Sequence, residues 1–559
     1  MPETTEYAVG PDRLMELSEA ARRAAESKVP VESWSALCLY GSQISGYASA
    51  DSDLDALLVA ENFEPSIKYL YVRGERPTVA LLAVDEEVFE ADMKKASLGE
   101  FVSGRFLTPY YPVLGSDLIR DADFHSKKRI AIETLRNLSF ERRIAAAEML
   151  IRPEYFLFDK VRRRASLYPP VKYSYANILR QPQGSVNLQM MVQRFVPSLE
   201  SLVEDGTLIR SDGYYKVSKE FVSSCLKAEA YVARQTDEIE RTIRMYITHG
   251  FAGRINPRLV AEELVSKIRR GARKQEEATL PDPDEYLYFD TPSGLQSAIE
   301  QLDIYEYAEK QLGAAPQEVV VDKVGAVLNS TYRVTVSHGD EPRKLFVKKY
   351  LNWTDMKWVV AWLWTVGLKN FSVLAKTRMS NEIHFIRHLA RKGFNTPGLL
   401  HVNWKRRMVF QEFVEGSDLL NIWRTIGRDR LSVAEKSATG AGTELARVHG
   451  VDVALGDCKP DNFIATESRG VFLTDLEQAE TGGDQPWDVA EILFYTGHYL
   501  SGEKLTRYVS SLLDGYLNRG DPEVVAKAKQ LKYMRTLLPW TPVWLQSKIV
   551  QTIDRKLRG

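Results

Sequence analysis

The sequence predicts a multidomain chain of α/β and α+β character. Three observations carry that expectation. The chain has 559 residues, enough for three or more domains at roughly 100–200 residues each. Its first part places buried-strand patterns around a Gly/Ser turn and a pair of Asp residues. Its last part places Lys, Glu, Asp, Lys, Asn and Asp, in that order, on strand, helix and loop patterns.

Composition narrows the class. Hydrophobic residues make up 44% and charged residues 27%, the balance of a packed protein rather than a disordered one. Cys38, Cys225 and Cys458 are the three cysteines. They are too few and too scattered for a disulfide framework or a zinc cluster. The N-terminus lacks a basic segment followed by an apolar one, so a cytoplasmic location is expected. The longest apolar stretch, Trp358 to Leu368, falls short of the ~20 residues a membrane span needs. No transmembrane segment is expected; Trp358, Trp362 and Trp364 could touch a membrane or a partner, and the plainer reading of the stretch is a buried helix.

Pro11 to Ser27 has helical spacing through Leu14, Leu17, Ala20, Ala21 and Ala24. Ala36 to Tyr40 reads as a buried strand, followed by Gly41-Ser42-Gln43-Ile44-Ser45-Gly46 and then Ser52-Asp53-Leu54-Asp55. Gly41 and Ser42 are expected where a strand turns into a helix, so that backbone can approach a triphosphate. Asp53 and Asp55 alternate along a strand and share a face, the arrangement that holds magnesium in two-metal nucleotidyl transfer. This pattern, G-S-x-x-x-G-x-x-x-x-x-S-D-x-D, resembles the nucleotidyltransferase superfamily that includes DNA polymerase beta and small antitoxin-type nucleotidyltransferases. The resemblance implies a mixed-sheet domain over residues 1–122. It also implies a third carboxylate on a neighbouring strand. Thr78 to Val84 is the expected strand and carries no acid, leaving Asp85 at its end and Glu75 before it.

Residues 123–275 form a basic middle region. Residues 125–275 hold 28 Lys/Arg against 16 Asp/Glu, a net of +12, which makes RNA or DNA an expected partner. His125 to Arg152 and Phe156 to Leu167 read as helices. Tyr173 to Leu179 and Leu188 to Arg194 read as shorter ones. Pro197 to Val203 reads as a helix with Ser198 as its N-cap. Thr207 to Arg210 and Tyr214 to Ser218 form a hairpin with Asp212-Gly213 at its tip. Helices followed by a hairpin resemble a winged helix. Arg258, Lys267, Arg269, Arg270 and Arg273 add a basic run. Residues 276–298, acidic and Pro-containing, are the expected linker.

Residues 299–559 carry the sharpest motif. Asp457, Lys459 and Asn462 have the spacing D-x-K-x-x-N, and Asp475 ends the apolar run from Val471 to Leu473. Phosphoryl transfer needs a carboxylate to orient the attacking hydroxyl and a Lys to neutralise moving charge. It also needs an Asn and a second carboxylate to hold magnesium. Lys348 ends a strand pattern, Glu382 sits on a helix pattern, and Met408 to Phe413 reads as a strand leading into a hinge. This set resembles the catalytic core of protein-kinase-like enzymes and implies a two-lobed domain. The resemblance implies that Asp457 positions the acceptor and Lys459 steadies charge. Asn462 and Asp475 would bind Mg2+, and Lys348 paired with Glu382 would grip the ATP phosphates. Gly325, Ser330 and Thr331 would cover those phosphates, and Gln411 and Phe413 would line the base pocket. Twelve residues, 476–487, separate Asp475 from Asp488. That leaves no room for a long activation segment, so the domain is similar to compact atypical kinases of the RIO, KEOPS and lipopolysaccharide-core types.

The leading expectation is an ATP- and Mg2+-dependent phosphotransferase or ATPase acting on RNA, a ribonucleoprotein or a protein. One alternative makes Gly41, Ser42, Asp53 and Asp55 the main active site for NMP transfer, with the kinase-like domain regulatory. Another is an ATP-switched scaffold on nucleic acid.

Overall fold

The computed structural model describes residues 7–73, 77–167, 170–227, 280–324, 330–338, 342–351, 374–427 and 430–558, with Ser372 and a few positions between 240 and 252. The chain is a mixed α/β, multidomain α+β protein made of two compact units. One unit comprises Met1–Glu141 and Met149–Tyr288, the other Arg142–Glu148 and Phe289–Gly559. No helix among the described residues is long and apolar enough to cross a membrane.

The first unit opens with a five-stranded sheet. Its strand order is Ile67–Val72, Val79–Asp85, Leu54–Ala60, Trp34–Tyr40, Tyr110–Leu114. The central pair Leu54–Ala60 and Val79–Asp85 is parallel and the rest antiparallel. Alternation along the strands sorts their side chains onto two faces. Leu37, Leu39, Ala56, Leu58 and Leu81 pack in one apolar cluster with Leu14, Leu17 and Ala21 of helix Pro11–Glu26. Cys38, Leu57, Val59, Leu82 and Val84 pack in the other with Phe89, Met93, Phe101 and Phe106. Each fully buried Leu or Phe contributes about 1.5–3 kcal/mol, so the two faces hold the sheet between helical layers.

The rest of this unit is mainly helical, with the expected hairpin, whose second strand pairs through Tyr215 with Ile151 of the short strand Leu150–Ile151. Strands Leu208–Ser211 and Tyr214–Val217 pair antiparallel. Asp212 and Gly213 both have positive φ at the tip, as a type I′ turn demands. Three readings change. The long helix runs Ser116–Arg142 and stops ten residues short of Arg152, because Arg143 turns left-handed (φ 55°). Ser198 is not an N-cap. It lies inside helix Val196–Glu204, and its hydroxyl donates to Phe124 O at 2.8 Å. Within the expected linker, Pro283–Tyr286 form a turn held by an Asp282–Glu285 capping box, and strands follow at Leu287–Thr291 and Gly294–Ser297.

The second unit has an antiparallel five-stranded sheet. Its order is Val319–Val324, Ser330–Val336, Arg343–Lys349, Met408–Glu412, Leu399–Asn403. Val334, Val336, Leu345, Val347 and Phe410 form its core with Tyr307 and Ala308. Helix Ala375–Arg391 is followed by a mainly helical half. That half includes Leu431–Gly450, Gln485–Phe494, Gly502–Leu517 and Val543–Arg558. Trp540 and Trp544 are exposed. The stretch Trp358 to Leu368 and the basic run from Arg258 to Arg273 lie outside the described residues.

Candidate functional site

Lys348 is the centre of the site in the second unit. It sits in strand Arg343–Lys349 with its ammonium buried. Nζ lies 3.2 Å from Glu382 Oε2, 2.5 Å from Asp475 Oδ1 and 3.0 Å from Glu477 Oε2. Burial alone would strip its proton, but the three carboxylates outweigh burial and hold it charged. Glu382 is placed by helix Ala375–Arg391, and its other oxygen accepts from Gln411 Nε2 at 3.0 Å. Asp475 follows strand Gly470–Leu473 and adopts left-handed φ of 56°, a conformation that costs energy at a non-Gly residue and marks a constrained position. Burial, with Glu477 and Glu382 nearby, pushes its carboxyl up to about 7 against the pull of Lys348.

One further acid, Glu477, and one further base, Arg378, complete this network, and the sequence reading missed them. Glu477 also meets Arg378 NH1 at 3.1 Å, and both are buried. Arg378 and Glu382 are four apart and so share a helix face. The signal was legible: Glu477 stands two residues after Asp475, and Arg378 one turn before Glu382.

The loop carrying Asp457 is pinned from one side. The carboxylate of Asp488, fully buried in helix Gln485–Phe494, accepts from Leu455 N at 2.5 Å and Gly456 N at 2.7 Å. Glu491 Oε2 accepts from Cys458 N at 2.7 Å, and Trp487 Nε1 donates to Gly456 O at 3.1 Å. Gly456 has φ 79°, which favours glycine there. Above this base Asp457 Oδ1 lies 2.6 Å from Lys459 Nζ. Burial would lower the Lys459 ammonium, but Asp457 and Glu491 raise it further than burial depresses it. Asn462 Nδ2 donates to Asp457 O at 2.8 Å, which leaves its Oδ1 as an acceptor.

The donor set fits a hard cation such as magnesium, because it is all oxygen. Ligand oxygens of Glu382, Asp475 and Glu477 lie within 4.8 Å of one another. The charge at their centre here is the Lys348 ammonium.

Other expected residues fall as follows. Ser330 and Thr331 begin strand Ser330–Val336, where Thr331 pairs with Lys348 and its hydroxyl donates to Val324 O. Gly325 lies outside the described residues. Phe413 just follows strand Met408–Glu412, with its ring 5.7 Å from Lys344 Nζ. Gln411 is reassigned from the base pocket. It is paired in the ladder to both Phe346 and Leu399, and its side chain holds Glu382.

The first unit brings together only part of its expected site. Gly41 (φ 83°) follows strand Trp34–Tyr40, and a Cβ there would stand 2.4 Å from Asp55 Oδ2. The loop and the carboxylate are therefore in contact, and only glycine fits. Residues 41–46 form a turn rather than a helix, with Ser45 N donating to Gly41 O and Tyr47 N to Ser42 O. Asp55 pairs in register with Tyr40 and Ala80. Its charge, after burial, pushes the Tyr47 hydroxyl up to about 12. Asp53 is exposed and precedes the strand rather than lying in it. Ala80 stands where a neighbouring-strand carboxylate would face Asp55. Asp85 is no substitute. It pairs with Ala60, five residues along the strand, about 16 Å at ~3.3 Å per residue, and it caps helix Glu86–Lys95. Glu75 lies outside the described residues. A cation lies on this face instead: Arg105 Nε donates to Tyr40 OH at 3.0 Å.

No protein-family model matches the chain, and no curated protein matches it either.

Proposed function

We propose that the second unit transfers the γ-phosphoryl group of ATP to an acceptor hydroxyl. The observation that carries this reading is convergence. A strand Lys, a helix Glu and a loop Asp meet at one ammonium, and the motif Asp457, Lys459, Asn462 lies on a loop fixed by Asp488 and Glu491. Lys348 grips the phosphates, with Glu382 holding it in place. Asp457 takes the proton as the acceptor oxygen bonds to phosphorus and the bond to the departing ADP breaks. Lys459 offsets charge on the moving group. Asp475 and Asn462 would hold magnesium, which when bound neutralises the triphosphate. Incubation with γ-labelled ATP against RNA, protein and metabolite fractions tests the reading. Absence of labelled acceptor and of released phosphate removes it.

Nucleotidyl transfer by the first unit is the second reading. The Gly41–Asp55 contact favours it and Ala80 opposes it. RNA or DNA remains a proposed partner through the net charge of 125–275. Many described basic groups there are already paired: Lys127 with Asp123, Arg129 with Glu100 and Glu133, Lys160 with Glu100, and Arg163 with Asp159. The run from Arg254 to Lys274 adds to the basic groups that remain for such a partner.

A further inference from the structure

Helix Ala375–Arg391 is held along two stripes. Arg378 and Glu382 face Glu477 and Lys348. Ser380, His384, Arg387 and Arg391 follow at i, i+4, i+7 and i+11, a separate stripe. That second stripe meets Arg142–Glu148. These seven residues belong to the same compact unit as the helix, while the chain on both sides of them belongs to the other.

The contact is specific. Ser380 Oγ accepts from Ala145 N at 2.7 Å and donates to Arg142 O at 2.9 Å. Glu148, almost fully buried, lies 2.7 Å from His384 Nδ1 and 3.2 Å from Arg387 Nε. Arg391 grips both its oxygens at 2.7 and 2.9 Å. Burial would raise this carboxyl, yet His384 and Arg391 hold it well below the usual range, so it stays charged.

Desolvation offsets much of the Coulombic gain of a buried carboxylate, so such a site is weak evidence for stability, while its charged, bidentate bonds to Arg391 are geometrically specific. Sliding the helix by one turn, about 5.4 Å, would break every one of these bonds. The 3.2 Å approach of Glu382 to Lys348 depends on that same register.

We propose that Glu148 is a positioning residue for the Lys348–Glu382 pair, and that Arg142–Glu148 is an in-chain clamp that sets the helix for ATP. This rests on the phosphotransferase reading above. The clamp is supplied by chain that interrupts the first unit, so the phosphate grip depends on a segment over 200 residues upstream (236 from Glu148 to His384).

The test uses the full chain as wild type, Glu148→Ala, Glu148→Asp and Ser380→Ala. It reads kcat and KM for ATP, affinity for a fluorescent ATP analogue, and amide hydrogen exchange over residues 376–391. Glu148→Ala should raise KM for ATP about tenfold or more, since small misplacements of binding groups are costly. It should also speed exchange around Glu382. Glu148→Asp should recover part of the loss, and Ser380→Ala should shift both readouts in the same direction by less. A folded Glu148→Ala with wild-type KM and exchange overturns the proposal. If Glu148→Ala does not fold, Ser380→Ala decides by the same criteria. If the wild type neither binds nor turns over ATP, the phosphotransferase reading fails. Exchange over 376–391 then decides the clamp alone, and unchanged exchange in the variants overturns it.

Discussion

Glu477 Oε2 lies 3.0 Å from Lys348 Nζ, while Glu477 Oε1 meets Arg378 at 3.1 Å. One carboxylate thus ties the strand Lys to the helix. Glu477→Ala should remove the carboxylate that meets the fully buried Arg378. Breaking a buried pair by removing one partner costs about 3–5 kcal/mol. Urea unfolding should show a matching loss, and a midpoint unchanged from wild type would show that the pair carries no such role.

Asp475→Ala should abolish metal-dependent ATP turnover, and Asp457→Ala should keep ATP binding while depressing transfer by orders of magnitude. The two variants separate phosphate holding from acceptor orientation. Phosphate release and nucleotide titration measured side by side check both, and full turnover in Asp475→Ala sinks the assignment.

In the first unit, wild-type transfer of α-labelled nucleotide should be weak, because Ala80 supplies no carboxylate. Asp53→Ala with Asp55→Ala should remove whatever transfer remains and spare γ-phosphate release. Gly41→Ala should destabilise by at least about 1 kcal/mol, since φ is positive there and the added carbon would strike Asp55. Robust wild-type α-label transfer would contradict the weak-site reading.

Glu491 gives a pH signature. Burial and the Asp457 charge push its carboxyl up to about 8, against Lys459. The folded value exceeds the unfolded one, near 4.3, so the folded state binds the extra proton. Stability from this group is greatest at acid pH and declines as pH rises from about 4 to about 8. Glu491→Gln keeps an acceptor for Cys458 N and should flatten that decline. Thermal melts at pH 5 and pH 8.5 check it: the variant should gain on wild type only at the higher pH.

Nucleic-acid binding, if carried by residues 125–275, should fall steeply with salt, by a log–log slope near 0.9 per neutralised phosphate. The full chain is the right material, since residues 142–148 pack in the other unit. Titration with tRNA and duplex DNA at two salt levels, with and without Arg269, Arg270 and Arg273 reversed to Glu, decides it. Binding indifferent to both would leave that region a packing module.

The strands and the catalytic-type motif were legible because each is local. The continuous apolar run Ala36 to Tyr40 pointed to strand Trp34–Tyr40, and the D-x-K-x-x-N spacing pointed to the loop that Asp488 fixes. What the sequence hid was set by tertiary contact. Ser198 looked like a cap but is spent on Phe124 O. Arg143 ends a helix with no Gly or Pro to announce it. Gln411 looked like a hinge residue because nothing local shows that Glu382 would claim its amide. The net charge counted over residues 125–275 hid how many basic groups are paired, among them Lys127 with Asp123 and Arg129 with Glu100, acids that lie outside that count.

The Glu148–Arg391 pair also sets a timetable for synthesis. Arg391 is made 243 residues after Glu148, ~10–50 s later at about 5–20 residues per second. Until His384 is made, 236 residues on, the nascent chain carries a carboxylate with none of its three basic partners. The first unit's last residue, Tyr288, also precedes Arg391. A chain made only that far holds the first unit's sequence complete while residues 142–148 still lack the helix they pack against.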